Sequence, residues 1–317
     1  MKEFKKFESA GRGASLIAVA LFCLLAIAAL SLWFAAHSET ARARNIDVDS
    51  SKVISLSKKA RINADKASDG GPVNLLGPGA SSGFIPNANP TFIAYDFGLD
   101  ELVIFTAADP STVTPVQITG LDVANNERLE FIDIRPANGG LYAIARKQGS
   151  VADDDICRVV LIAGDGSLST IGTPSNCGTD PIFSGGDFNP VEDILRETDR
   201  NDGNRRWSSV TGALVGTDSA LAFAPGDTNF GINPAVVHVA YTNNFSGAAS
   251  TTIYGLDESS NSLVTVVPAS GELSTVGSTG VNFAEFGGFD IQAGTGLAYA
   301  ALRVNAAYTV FLINLTT

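Results

Sequence analysis

From residue 91 onward the chain repeats two kinds of short segment, and the interval between copies limits the fold more than any other feature. VVLIAGDGSLSTIG (159–172) and LVTVVPASGELSTVG (263–277) each read as a strand, a Gly-containing turn and a second strand ending in Gly. FIDIRPANGGLYAI (131–144), GGDFNPVEDILR (185–196) and GGFDIQAGTGLAYAAL (287–302) form a second set: a strand around an Asp, a turn, and a strand entering apolar residues. Asp133 and Asp187 are 54 residues apart, and Asp187 and Asp290 are 103 apart, close to twice that interval. A further copy is therefore expected near residue 238, in VVHVAYTNN (236–244). Gly120, Gly172 and Gly277 give matching intervals of 52 and 105.

A unit of about 50 residues holding four short strands is the size of a propeller blade, because one twisted sheet cannot bury both faces until neighbours stack on it. No amphipathic helix of three turns interrupts the pattern, so the domain reads as all-β. Residues 91–317 hold enough chain for about five blades, with a β-sandwich as the alternative. The last unit stops after AYTVFLINLTT (307–317), without the final strand the others carry. The N-terminal part of the domain, 73–76 or 92–97, is expected to supply it and close the ring.

Charge divides the chain in two. Residues 1–90 carry 11 Lys and Arg against seven Asp and Glu, a balance of +4, whereas residues 91–317 carry ten against 26, a balance of -16. An acidic surface of that strength repels phosphate backbones, which excludes nucleic acid as a partner and favours basic proteins or cations.

Ala14 to Ala36 is a run of 23 residues without a charge. At about 1.5 Å per residue it covers a hydrocarbon layer of roughly 30 Å, and Trp33 and Phe34 fall near its end, where aromatic rings prefer the interface. It reads as a single transmembrane helix (14–36) behind a cytoplasmic segment (1–13), because a cleaved signal core is shorter, about 7–15 residues. Cleavage after Ala36 is the alternative. Lys2, Lys5, Lys6 and Arg12 precede the span, with Arg42, Arg44 and Lys52 after it, so a bacterial inner-membrane protein with a periplasmic C-terminal domain is expected. Residues 37–90 read as an extended linker. Its first half scatters Ile46, Val48, Val53, Ile54 and Leu56 among charges, which allows a short interfacial helix or strand, and its second half is rich in Gly and Pro.

FIDIRPANGGLYAI, GGDFNPVEDILR followed by VTGAL (210–214), AYTNNFSGAASTTIYGLD (240–257) and GGFDI with AYAAL closely resemble, in this order, a bacterial family of domains of unknown function. The resemblance covers about residues 92–317 and implies a propeller-like fold and an exported location, with no catalytic residues to carry over. Glu197 and Trp207 depart from the family pattern, which points to local remodelling of that blade.

Candidate sites are few. Cys157 and Cys177 flank the hairpin 159–172 and would meet if its strands pair about the turn, as a disulfide or as two buried thiols. Arg205, Arg206 and Trp207 form the one basic and aromatic cluster of the acidic domain and read as a partner contact or as an exposed patch without a partner. Asp153–Asp155 and the loop Asp199–Asn204 read as solvated turns, with calcium as the alternative; no other cofactor or metal is expected. Gly79–Gly83 and Ser55–Lys58 match hydrolase patterns without the companion residues that chemistry needs. His238 reads as a core histidine.

Two functions from different classes follow. The first is a non-enzymatic scaffold or accessory subunit of a larger membrane complex, an energy-transducing one as a candidate, held by its span and linker and open to a basic soluble protein. The second is a hydrolase or lyase using Asp133, Asp187 and Asp290, which recur once per blade and would converge near the ring axis.

Overall fold

The computed structural model describes residues 90–317, apart from 107–108, 110–111, 150–154, 179–183 and 306, together with the strand Val53–Leu56. The expected helix at 14–36, the segment 73–76 and Gly79–Gly83 lie outside these residues. Among the described residues no helix is long and apolar enough to cross a membrane.

Twenty strands form five sheets. Blade 1 holds β1 (Val53–Leu56), β2 (Thr91–Asp96), β3 (Glu101–Thr106) and β4 (Thr114–Gln117). Blade 2 holds β5 (Glu127–Ile134), β6 (Leu141–Lys147), β7 (Ile156–Ile162) and β8 (Leu168–Asn176). Blade 3 holds β9 (Ser184–Asn189), β10 (Ile194–Asp199), β11 (Asn204–Ser208) and β12 (Leu214–Thr217). Blade 4 runs β14 (Val236–Tyr241), β15 (Ile253–Asp257), β16 (Ser262–Val266) and β17 (Glu272–Ser278), with β13 (Ala222–Phe223) added in parallel outside β17. Blade 5 holds β18 (Ala284–Ile291), β19 (Ala298–Val304) and β20 (Ala307–Ile313).

The inner strands touch in the cyclic order β5, β9, β14, β18, β1 and back to β5, which closes a five-bladed β-propeller rather than a two-layer sandwich. Both repeated hairpins fall where their spacing placed them: the Asp-centred set is β5–β6, β9–β10 and β18–β19, and the Gly-ended set is β7–β8 and β16–β17.

Ring closure differs from expectation. The strand that completes it is Val53–Leu56, inside the stretch read as linker, and it pairs parallel to β2 at the inner edge of blade 1. Residues 92–97 overlap β2 of that same blade, so they do not finish blade 5, which stays three-stranded among the described residues. The physical reason lies in the register. β2 to β4 correspond to the second, third and fourth strands of the other blades, so the position left empty is the inner one, where a missing strand would expose the axis.

Apolar clusters fill four of the junctions. Tyr95, Leu129 and Ile132 pack between blades 1 and 2, and Phe131, Phe188 and Trp207 between blades 2 and 3. Leu256, Phe289 and Ala300 pack between blades 4 and 5, and Phe92, Tyr299 and Val310 between blades 5 and 1. At the junction of blades 3 and 4 the apolar cluster comes from blade 4 with Leu221 and Phe223, while blade 3 offers it Arg196, Thr198 and Asn204.

Candidate functional site

The axial Asp residues do converge. Asp133, Asp187 and Asp290 each lie in the last three residues of an inner strand, the strands ending at Ile134, Asn189 and Ile291, and all are buried. Asp133 Oδ2 accepts the backbone N–H of Phe188 in the next blade at 2.8 Å, and Asp187 Oδ2 accepts that of Tyr241 one blade further at 2.6 Å. The second oxygens of Asp133 and Asp290 accept the N–H of their own neighbours, Ile134 and Ile291, at 2.7 and 2.6 Å. By the same register the position in β14 is Ala240, so blade 4 lacks the carboxyl and the series has three members. Burial pushes the Asp187 carboxyl well above its ordinary range, and the charge of Asp133, a hydrogen bond with it and the charge of Asp290 push it the same way. By accepting backbone N–H groups of the next blade, Asp133 and Asp187 tie the inner strands of blades 2, 3 and 4 to one another.

A second polar centre lies between blades 2 and 3. Along β10, Leu195, Glu197 and Asp199 turn toward blade 2, while Arg196 and Thr198 turn toward blade 4. Glu197 is fully buried and receives Arg146 Nη2 at 3.2 Å, Arg205 Nε at 3.2 Å and Trp207 Nε1 at 2.8 Å. Arg146 also lies 3.9 Å from Glu130 and 3.5 Å from Asp155, and Arg205 reaches Asp199 at 2.7 Å. Burial alone would raise the Glu197 carboxyl; the guanidinium groups of Arg205 and Arg146, with the hydrogen bonds from Arg205 and Trp207, outweigh it and bring the group down to about 2.

This corrects the reading of Arg205, Arg206 and Trp207 as a surface contact. Arg205 and Trp207 are interior side chains spent on Glu197, and the half-buried Arg206 pairs with Asp218 at 3.0 Å. Sequence reasoning saw three adjacent cationic and aromatic residues but not the alternation along β11, which turns Arg205 and Trp207 toward the acids of blades 2 and 3. The departures at Glu197 and Trp207 were the signal: a buried acid and an indole N–H that satisfy each other.

The loop Asp199–Asn204 is a turn solvated only at its middle, around Asn201, while its two ends are buried. Asp199 is fully buried, with Oδ1 accepting the N–H groups of Asn201 and Gly203 at 2.7 and 2.9 Å. Asp153 and Asp154 lie outside the described residues. Among the described residues no group of three or more His, Cys, Asp or Glu is placed to hold a metal ion. Cys157 and Cys177 form a disulfide across the β7–β8 hairpin, with Cα atoms 5.7 Å apart. His238 is buried in β14, its ring beside Gly287 of blade 5.

A cleft of about 440 Å³ opens where blades 3 and 4 meet. Val191 and Glu192 form one wall, Thr251, Thr252 and Ile253 another, and Val267 and Pro268 a third, over Tyr241. Arg196 Nε holds the Tyr241 hydroxyl at 2.9 Å; burial raises this phenol to about 12 despite the guanidinium. The walls are mixed, with Val191, Ile253, Val266, Val267 and Pro268 beside the hydroxyls of Ser250, Thr251 and Thr252, and Glu192 is an exposed carboxylate at the rim. Such a site suits the aliphatic stem and charged head of a Lys or Arg side chain.

The surface charge is one-sided for a structural reason. Of the ten basic residues in 91–317, nine are committed to ion pairs inside the domain: Arg128, Arg135, Arg146, Lys147, Arg158, Arg196, Arg200, Arg205 and Arg206. The tenth, Arg303, lies over the Phe286 ring at 5.5 Å.

Among solved structures the fold is similar to glutaminyl cyclase from Myxococcus xanthus, at 11% identity over 68% of this chain and 83% of that one, with a TM-score of 0.42. It is also similar to a protein from Lactobacillus plantarum, at 15% identity over 73% and 72% with a TM-score of 0.37. The PQQ-bound aldose sugar dehydrogenase from Streptomyces coelicolor gives 12% identity over 72% and 79% with a TM-score of 0.36. Likeness at this level carries no argument about chemistry. No curated protein matches the chain. The model of one family, a domain of unknown function (DUF4394), matches residues 101–317, and the chain belongs to that family.

Proposed function

We propose that the chain is a non-catalytic binding module, anchored in a bacterial inner membrane by residues 14–36, whose periplasmic propeller serves as an accessory subunit of a larger membrane complex and receives a basic protein segment on its acidic surface. The observation that carries this reading is the internal use of the cations. With nine of ten basic side chains tied to acids of the same domain, the excess of acids sets the sign of its field, which draws basic partners and speeds their encounter. The cleft between blades 3 and 4, with Glu192 at its rim, is where a Lys or Arg side chain from that segment would rest. The uncharged run at 14–36 supports the anchor and would pack against helices of the other subunits.

Extraction of the full chain in mild detergent, followed by native electrophoresis with mass spectrometry of what accompanies it, tests the reading. A complex that dissociates as salt rises from low ionic strength toward about 0.5 M is expected, because screening shortens the reach of surface charge. Migration of the chain alone at its own mass, at every salt concentration, counts against it.

One observation favours a second reading. The carboxyl of Asp187, beside Asp133 and Asp290, is raised by burial and by their charges, the direction a general acid needs, which is the basis of a hydrolase or lyase at the axis. Against it stand the backbone N–H groups that occupy Oδ2 of both Asp133 and Asp187.

A further inference from the structure

We propose that the outer edge of β20 in blade 5 is a strand-addition site, which takes an extended, uncharged segment of a partner protein bounded by Lys or Arg. This surface is separate from the cleft of blades 3 and 4 and does not depend on the chain being membrane-anchored.

The argument begins with what ends each blade. Blade 1 ends in β4, four residues that include Pro115. Blade 2 ends in β8, which is broken by Gly172 at φ 64 and contains Pro174. Blade 3 ends in β12, four residues with Gly216, and blade 4 in the two-residue β13. Short strands, prolines and irregularities are the devices that stop an edge from pairing with foreign chains. β20 has none of them. Its seven residues, AYTVFLI, contain no Pro, Gly or charge, and they pair in unbroken register with β19 on one side while the other side is, among the described residues, the sheet edge.

The two faces of the strand say what the incoming segment must carry. Val310, with Tyr308 and Leu312, belongs to the apolar cluster between blades 5 and 1, whereas Phe311, with Ile313, belongs to that between blades 4 and 5. Tyr308, Leu312 and Ile313 are only half-buried, so apolar surface continues outward from the edge on both faces. A segment laid antiparallel to β20, in the fourth-strand position of blades 2 and 3, would cover it with alternate side chains on each face and pair the outward N–H and C=O groups. Its strand residues must therefore be uncharged at both alternating sets of positions.

Charge chooses between two sources of such a strand. A second copy of this chain would bring a domain of balance -16 against another of -16, which opposes edge-to-edge pairing at low salt. A partner strand with basic flanks meets the same field as attraction.

The test titrates the full chain in detergent with a labelled peptide of about eight residues, a Val/Thr core with Lys at both ends, and with a control of equal charge whose central residue is Pro. Anisotropy should show the Val/Thr peptide binding at least about tenfold tighter than the Pro control, since Pro removes a ladder hydrogen bond. Hydrogen exchange should show residues 307–313 slowed by the first peptide alone. Equal binding of the two peptides, absence of binding up to roughly 1 mM, or protection elsewhere without protection of β20 overturns the proposal. Protection of β20 that rises with protein concentration, together with a doubled mass, assigns the edge to a second copy and overturns it equally.

Discussion

Gly186 of blade 3 faces the Phe131 ring of blade 2 so closely that a Cβ on it would sit 2.2 Å from two ring carbons. On the other side, a Cβ on the adjacent Gly185 would fall 2.5 Å from the Val237 carbonyl oxygen of blade 4. The Gly-Gly pair is how β9 passes between two neighbours at the crowded axis. Gly186→Ala should cost about 1–3 kcal/mol, because the Phe131 ring is fully enclosed and must shift. Gly185→Ala should cost more, since the obstacle there is backbone. Urea unfolding of both variants, with an unchanged m value, checks the order.

Glu197 holds two guanidinium groups and an indole, and its removal takes away the one carboxylate that Arg146 and Arg205 share. Glu197→Gln should destabilise the domain by about 3–5 kcal/mol. Glu197→Leu should be no milder, since it also abandons the Trp207 N–H. The pH dependence has a definite sign. The folded carboxyl titrates at about 2 against an ordinary 4.5, so its stabilisation is present above pH 4.5 and is lost as pH falls toward 2. Melting temperatures of the wild type should fall across that window, and those of Glu197→Gln should fall less.

How far these features could be read beforehand depends on whether they repeat. The blade count came from the spacing of Asp133, Asp187 and Asp290, and that spacing exists because each carboxyl fills the same place on an inner strand. The Gly-Gly pairs before Asp187 and Asp290 were as visible, but they are not equivalent: Gly186 adjoins its Asp and faces the Phe131 ring, whereas Gly288 is separated from Asp290 by Phe289, and Gly287 faces the Ala301 carbonyl. Blade 3 was legible only as an exception. Arg205 and Trp207 look like a surface patch until the pleat of β11 is known, and which face of a strand is interior depends on the blade beside it, about 50 residues away in sequence. The inner strand of blade 1 was harder still. Val53–Leu56 is four residues with no repeat partner at the expected interval, and its parallel pairing with β2 breaks the hairpin rule that located every other inner strand.

The Cys157–Cys177 disulfide closes a separation of 20 residues beside the interior cluster of Phe131 and Trp207. Replacing both cysteines by Ser should lower stability by about 3 kcal/mol, most of it through the freedom regained by the unfolded chain. Calorimetry of the oxidised protein, the reduced protein and the double variant checks this: reduction should lower the melting temperature of the wild type and leave that of the variant unchanged.

Asp187→Asn separates the structural account of the axial carboxyls from the catalytic one. The folded carboxyl is raised above its ordinary 3.8, so the native state holds a proton that the unfolded chain releases. The contribution of Asp187 is therefore full below that value and is lost as pH climbs through the raised folded value, where charging it beside Asp133 and Asp290 becomes a cost. Asn keeps the shape and the acceptor for the Tyr241 N–H but cannot ionise. The variant should match wild type near pH 4 and exceed it in melting temperature by a margin that widens as pH increases toward 9. If the axial acids are structural, any binding partner retained by the wild type is retained by Asp187→Asn with the same affinity. A variant that unfolds with the wild-type pH profile would show that Asp187 ionises like an ordinary carboxylate, and the raised carboxyl at the axis would have to be abandoned.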